Sequence, residues 1–434
     1  MKLILIGCGA VGEVVGKILL ERSQNTDWLK SIVFADYSID KAQKLENLFC
    51  ASNVKARAIQ LDASDKHAIV TAIQAHNIDT VFDGTVPYLA NTVFDAAYEA
   101  GCHLLNMGTW SLPKGDIHAP IDAYEAYKEF MTSHNFDNHE KWKEKNLTGI
   151  ICVGIDPGVV NVFAKFAAEN YFDTLKEVHV KDGCSIQHKN GDDGVVFGFN
   201  VWTVLDECLN PSVTWDKASG YTAHPVFSGE ELFTFPDGVG LQKLYQIEHE
   251  EVVCMPRYLE SYGLEKCTYK IALDDKLVQA LKVIDQLGMR SLDPVEFKGQ
   301  SVRPRDIVAA ILPQPDSLNT DYEGKMCVGI HCIGLKDGLK REIFMYQSYD
   351  QEDAIRRFDS QAVVAQTALG ASIAIELLAT DKWKTPGVYS PEAFDPIPYI
   401  QTMKSYNFSY GLIEMDSDFN TALHKKQIDS FLKV

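Results

Sequence analysis

The chain has 434 residues, 46% hydrophobic and 23% charged, with a formal net charge of −19. That is ample apolar material for a large core, and a prior of roughly 100–200 residues per domain predicts two or three domains. The negative charge excludes a nucleic-acid backbone and an anionic membrane surface as partners, since both would repel the chain.

From the N-terminus, Leu3-Ile4-Leu5-Ile6 is an all-apolar run ending at Gly7 and reads as a buried parallel strand. Residues 11–22 follow as a helix, 31–36 as a second strand, 40–50 as a helix, 56–61 as a third strand and 64–76 as a helix. A fourth strand at 80–83, a helix at 91–100 and a fifth strand at 103–106 complete the alternation, which predicts a doubly wound parallel sheet. Residues 122–145 read as a charged, amphipathic helix, and 149–154 as a sixth strand.

After Asp156-Pro157-Gly158 the pattern changes. A helix at 159–170 precedes strands at 177–180, 244–247, 266–273 and 327–334. A strand at 342–347 closes a hairpin across Lys336-Asp337-Gly338, and helices fall at 275–287 and 304–312. Residues 313–324 read as a loop, and 361–379 as a long buried helix. The expected fold class is therefore α/β, an N-terminal Rossmann sheet with a second α+β domain on a mixed sheet. The boundaries read as 1–154, 155–355 and 356–434. No apolar run reaches the ~18 residues of a membrane span. Residues 3–20, apolar enough for a signal-peptide core, are interrupted by Glu13 and Lys17. The ten cysteines form no CxxC and mostly sit in apolar runs. Buried free thiols point to a reducing, cytoplasmic setting. Cys327, His331 and Cys332 fit no common zinc spacing, so no metal is expected.

Gly7-Cys8-Gly9-Ala10-Val11-Gly12 is a GxGxxG that leaves a strand and opens a helix. In that context Gly7 permits the tight turn, Gly9 lets backbone approach a pyrophosphate, and Gly12 lets helix pack on strand. Ala10 and Val11 open the helix whose N–H groups face the anion. Asp36 ends the second strand, where an acid binds the adenosine ribose. With Tyr37 and Ser38 next and no arginine, it favours NAD, with NADP possible. Asp62 after the third strand and Thr85 and Pro87 after the fourth complete the expected cofactor set, because ligands bind beyond the carboxyl ends of such strands.

Asp156 and Gly158 lie at that same edge, before a helix whose N-terminus suits a substrate carboxylate. Asp156 is the candidate base and Tyr88 a second one, while a plain N-cap and turn explains the same residues. Arg257, Arg303 and Arg305 are candidate carboxylate clamps, Arg257 foremost. The loop 188–194 reads as a substrate cover or a solvated hairpin.

These segments resemble the saccharopine dehydrogenase (saccharopine reductase) family. The marks are Ile4–Gly12, then Gly154-Ile155-Asp156-Pro157-Gly158-Val159-Val160-Asn161, Leu205-Asp206-Glu207-Cys208-Leu209-Asn210-Pro211 and Gly387–Phe394. The resemblance implies a nicotinamide-dependent oxidoreductase acting on the CH–NH bond of an amino-acid-derived secondary amine through an imine. It also implies a small amino-acid or polyamine-precursor substrate, a homodimer built through the second domain, and a late helix that returns to the Rossmann half. Residues 191–194 and Leu287-Gly288-Met289 are similar to carboxynorspermidine dehydrogenases, Trp202–Trp215 to saccharopine reductases, and Asp36 without arginine to lysine 6-dehydrogenases. A non-catalytic NAD-binding regulator is the alternative from another class.

Overall fold

The computed structural model describes residues 1–190, 199–312 and 321–416. Strands β1 (Lys2–Ile6), β2 (Ser31–Asp36), β3 (Lys55–Gln60), β4 (Thr80–Asp83) and β5 (His103–Asn106) alternate with helices α1 (Ala10–Ser23), α2 (Ile39–Leu48), α3 (Lys66–Ala75) and α4 (Pro87–Ala100). With Thr148–Ile150 and Gly387–Tyr389 they form a seven-stranded sheet ordered 387–389, 148–150, β5, β4, β1, β2, β3. Every pairing in it is parallel. Its central strands are apolar on both faces because helices cover both sides, and Leu3, Ile4, Leu5, Val81 and Phe82 are fully buried.

The second sheet has ten strands and is mixed. Its spine is Lys325–Lys336 paired antiparallel with Thr174–Cys184 and with Leu339–Asp350. Thr174–Cys184 pairs parallel with Lys266–Ala272. The hairpin turns at Asp337 and Gly338, both at positive φ.

The chain ends connect the two halves. Helix Ala362–Ala379 is the one described helix apolar and long enough to cross a membrane, but 83% of it is buried inside the protein. Arg22 of α1 grips its Glu376 through two bonds of 3.0 Å, and Gly387–Tyr389 then extends the parallel sheet. The C-terminal segment does not all return to the Rossmann half, however. Gly411–Glu414 pairs with the mixed sheet, as does Ile121–Asp122 from the first 154 residues.

Three local expectations need correction. Residues 122–145 are not one helix. Asp122 caps the short turn Ala123–Ala126, Tyr127–Glu129 pairs with Leu112–Pro113, and two short helices, Ser133–Asp137 and His139–Glu144, follow Thr132 at φ +67°. The sixth strand stops at Ile150, and Cys152 at φ +63° turns the chain out of the sheet. Finally, α4 starts at Pro87 rather than near 91, so Pro87 and Tyr88 belong to its first turn. Loop residues 191–194 and 313–320 lie outside the described residues.

Candidate active site

The dinucleotide loop is built by contact. Gly7 sits at φ +96°, and a Cβ on Gly12 would lie 2.0 Å from the Gly7 carbonyl oxygen, so both must be glycine for α1 to pack on β1. Nothing lies within 4 Å of where a Gly9 Cβ would stand. Gly9 is the N-cap of the 14-residue α1 and makes no side-chain cap. The free first-turn N–H groups of Ala10 and Val11 thus open on empty space, the cradle that a pyrophosphate fits.

Asp36 closes this cradle. One of its oxygens accepts the Cys8 N–H at 2.7 Å and the other the Ser38 N–H at 2.8 Å. Tyr37 is 74% exposed beside it, and Asp62 is exposed with its carboxylate held by Ser64. At the next strand end, the Thr85 N–H and hydroxyl both bond Asp83. Burial still pushes that aspartate up to about 6.

Beyond the carboxyl edge of the parallel sheet lies a narrow cleft of about 30 Å³ between the two halves, lined by Pro87, Thr109, Ser111, Glu207, Glu248 and Glu250 among others. Glu250 accepts the Thr109 N–H at 2.6 Å. Glu248 accepts Ser111 Oγ at 2.7 Å and Asn210 Nδ2 at 2.9 Å. Under this acidic wall lies a packed network. Tyr269 donates to Asp156 Oδ2 at 2.6 Å. The His249 ring stacks on Tyr269 at 3.7 Å with a 7° interplanar angle, and its Nδ1 lies 2.5 Å from Glu251 Oε2. Asp182 and Glu251 are buried, each with one carboxylate oxygen lacking a hydrogen-bond partner.

Taking these acids out of water favours their neutral forms. Glu251 is pushed up to about 8. Asp156, Asp182, Glu207, Glu248 and Glu250 are all raised, with burial the largest cause. His249, Glu250 and Glu251 each bring a ligand atom within 4.8 Å of the others. His249 and Glu251 hold each other, and Glu250 holds Thr109.

Of the sequence candidates, Asp156 joins this network. Gly158 does not offer its N–H to a ligand, because that group bonds Asn161 Oδ1 at 2.8 Å. The next N–H groups of the helix Val159–Asn170 bond the carbonyls of Gly154, Ile155 and Gly158, so that terminus is closed to a substrate carboxylate. Arg257 is exposed, with its guanidinium 4.3 Å from the centroid of the Phe136 ring, and stands apart from the cleft. Tyr88, next to Pro87 of the lining, has its ring 5.3 Å from Trp202, and the Arg303 guanidinium, which donates to Asp306 at 2.7 and 3.2 Å, lies about equally far from both rings, at 6.0 and 5.7 Å. Arg305 is buried against Asp206. The sequence reading missed Glu207, Tyr269 and the run Glu248-His249-Glu250-Glu251. In so acidic a chain that run looks like a solvated turn, and only its flanking apolar residues hint at burial.

The saccharopine dehydrogenase NADP binding domain profile matches residues 3–150, and the saccharopine dehydrogenase C-terminal domain profile matches residues 154–408. The chain belongs to the saccharopine dehydrogenase family. Carboxynorspermidine synthase from Vibrio cholerae serotype O1 is 29% identical over 426 residues, covering 96% of this chain and 98% of that protein. Carboxyaminopropylagmatine dehydrogenase from Synechocystis sp. is 25% identical over 399 residues, covering 92% and 94%. Apo saccharopine dehydrogenase (L-Glu forming) from Saccharomyces cerevisiae shares the fold, with a TM-score of 0.67 at 13% identity over 96% of this chain and 100% of that one. This family member is a nicotinamide-dependent oxidoreductase of amine-derived substrates.

Proposed function

We propose that the protein forms or oxidises the C–N bond of a secondary amine joining an amino-acid-derived chain to a polycationic amine, through an imine. One observation carries this reading: the described cleft lining presents Asp206, Glu207, Glu248 and Glu250 and no lysine or arginine, and only Asp206 is paired with an arginine, Arg305. An ammonium group brought against this wall draws those acids into their charged forms, whereas a substrate dominated by carboxylates, as saccharopine is, finds no such partner there. The names of the two curated relatives point the same way, since each denotes a carboxylated polyamine-type compound.

A nicotinamide held at the glycine cradle supplies the hydride acceptor or donor. The chain's own residues bind, orient and manage protons. Glu207, Glu248 and Glu250 hold the ammonium groups. Arg303, another of the sequence candidates, held by Asp306 between Tyr88 and Trp202, replaces Arg257 as the candidate to meet the substrate carboxylate. Asp156 already accepts the Tyr269 hydroxyl and favours its neutral form, which suits it to positioning Tyr269 more than to accepting a proton. Burial likewise keeps the Tyr88 hydroxyl protonated, so Tyr88 shapes the mouth.

NAD is the preferred dinucleotide in this proposal because an acid ending the second strand, as Asp36 does, suits an unphosphorylated adenosine ribose; NADP, which the matched domain's description names, is the alternative. Assembly as a homodimer and a cytoplasmic setting belong to the same reading, the latter supported by ten free cysteines, eight of them buried. Oxidation assays with NAD and a panel of secondary amines test it. Release of a free polyamine and an aldehyde supports the reading. Ammonia as the nitrogen product, or cofactor binding without turnover, contradicts it.

A further inference from the structure

The segment from 247 to 250 links strand Gly240–Gln246 to helix Glu251–Leu259. Its side chains alternate: Glu248 and Glu250 line the cleft, while His249 lies beneath and is 4% exposed. The ring is fixed twice. Stacking on Tyr269 sets its plane, and the Nδ1 bond to Glu251 sets its rotation. Nε2 is left facing Glu207, whose Oε1 stands 3.7 Å away, beyond hydrogen-bond length. Glu207 itself lines the cleft. His249 is thus a locked imidazole with one nitrogen turned toward the substrate wall.

The chemistry proposed above, on which this inference rests, needs such a group. A secondary amine is protonated near neutral pH, like a lysine with pKa about 10.4. Its nitrogen lone pair must be free before a C=N bond can form. We propose that His249 is the terminal proton acceptor for the substrate nitrogen, reached across the Glu207 carboxylate. The substrate N–H bond breaks and leaves its electron pair on nitrogen, Glu207 takes that proton on one oxygen and releases its own from the other, and a new N–H bond forms at Nε2. In the reductive direction the same proton returns to the product amine.

The groups facing the imidazole are Glu251 from the first turn of the following helix, Glu207 from helix Val201–Leu209, Tyr269 from the mixed sheet, Asp156 from the Asp-Pro-Gly turn, and Glu248 and Glu250 beside it. Burial pushes the imidazole down, while Asp156, Glu250 and Glu248 oppose that shift. Burial thus favours the neutral ring; with Nδ1–H donated to Glu251 Oε2, Nε2 keeps its lone pair for a proton, and protonating it in acid switches the acceptor off.

The test measures kcat and kcat/KM from about pH 4.5 to about pH 9 for wild type, His249→Gln and Glu251→Gln, with NAD and the secondary amine that turns over best. Dinucleotide affinity by fluorescence and a thermal melt accompany each. Removing a general base costs about 100-fold or more. His249→Gln is expected to lose at least that much in kcat and to lose the acid limb of the profile while keeping dinucleotide affinity. Glu251→Gln is expected to retain turnover with the acid limb displaced. If His249→Gln keeps both its rate and its acid limb, the proposal is overturned. If His249→Gln does not fold, an unmoved acid limb in Glu251→Gln overturns it instead. Failure of the wild type to oxidise any secondary amine overturns the functional reading, and this assignment with it; a working wild type with an indifferent His249 overturns the assignment alone.

Discussion

Asp36 uses both carboxylate oxygens on backbone N–H groups, Cys8 on the glycine loop and Ser38 at the start of α2. Those bonds hold a negative charge against the cradle, and in the proposed reading that charge disfavours a 2′-phosphate. The structure adds a residue that the sequence reading left out: Lys41, in the first turn of α2, is close enough to Cys8 to act on it electrostatically. Opposite effects follow at the two positions. Asp36→Ala should raise relative use of NADP by about tenfold, the equivalent of about 1.4 kcal/mol. Lys41→Ala should lower NADP use further and leave NAD nearly unchanged. The kcat/KM ratio for the two dinucleotides reads both, and an unchanged ratio in Asp36→Ala would remove the argument for NAD. The GxGxxG and Asp36 were legible because their chemistry is local to one strand, turn and helix. The acids around His249 were not, because Asp156, Glu207, Glu251 and Tyr269 meet only through tertiary packing.

Two glycine turns organise the elements, and they make opposite demands. Gly158 has φ +144°, and a Cβ there would lie 2.1 Å from the Gly154 carbonyl oxygen, so the turn and the helix Val159–Asn170 close on each other. Gly9 has open space around the same position. Gly158→Ala should therefore destabilise the fold by about 1–3 kcal/mol or more, from backbone strain and overpacking. Gly9→Ala should leave the thermal midpoint nearly unmoved but weaken dinucleotide binding. Thermal denaturation with and without cofactor separates the two; a stable Gly158→Ala would contradict the packing described. Most of the parallel sheet was readable, since buried strands between helices appear as short all-apolar runs ended by glycine or a polar residue. Residues 122–145 misled because the spacing of Tyr124, Tyr127 and Trp142 suits a helix. Those side chains are instead buried or stacked by separate short pieces, Trp142 fully and Tyr127 through its bond to the Pro211 carbonyl. The long helix Ala362–Ala379 was readable as buried, but the crossing of Ile121–Asp122 and Gly411–Glu414 into the mixed sheet was not, because two- and four-residue edge strands carry no periodicity.

Across the whole molecule, acids buried at the junction of the two halves make stability depend on pH. Glu251 is pushed up to about 8, Glu392 to about 7 and Asp83 to about 6, from ordinary values of 4.5, 4.5 and 3.8. The folded state then holds protons that the unfolded chain has released. Their contribution is complete below about pH 4 and is lost as pH rises through 6 to 8, so stability falls with pH in that window. The thermal midpoint should be higher near pH 6 than near pH 8.5, and Glu392→Gln should flatten the slope; a midpoint that rises over the window contradicts the assignment. A bound polycation should offset the loss, because it compensates the wall of Glu207, Glu248 and Glu250 as those acids ionise. The central claim is that this wall selects a polycationic secondary amine. The most direct measurement is kcat/KM with NAD for carboxynorspermidine against saccharopine under identical conditions. The account predicts turnover of carboxynorspermidine at least about 100-fold more efficient, the equivalent of about 2.8 kcal/mol; equal or better turnover of saccharopine would contradict it.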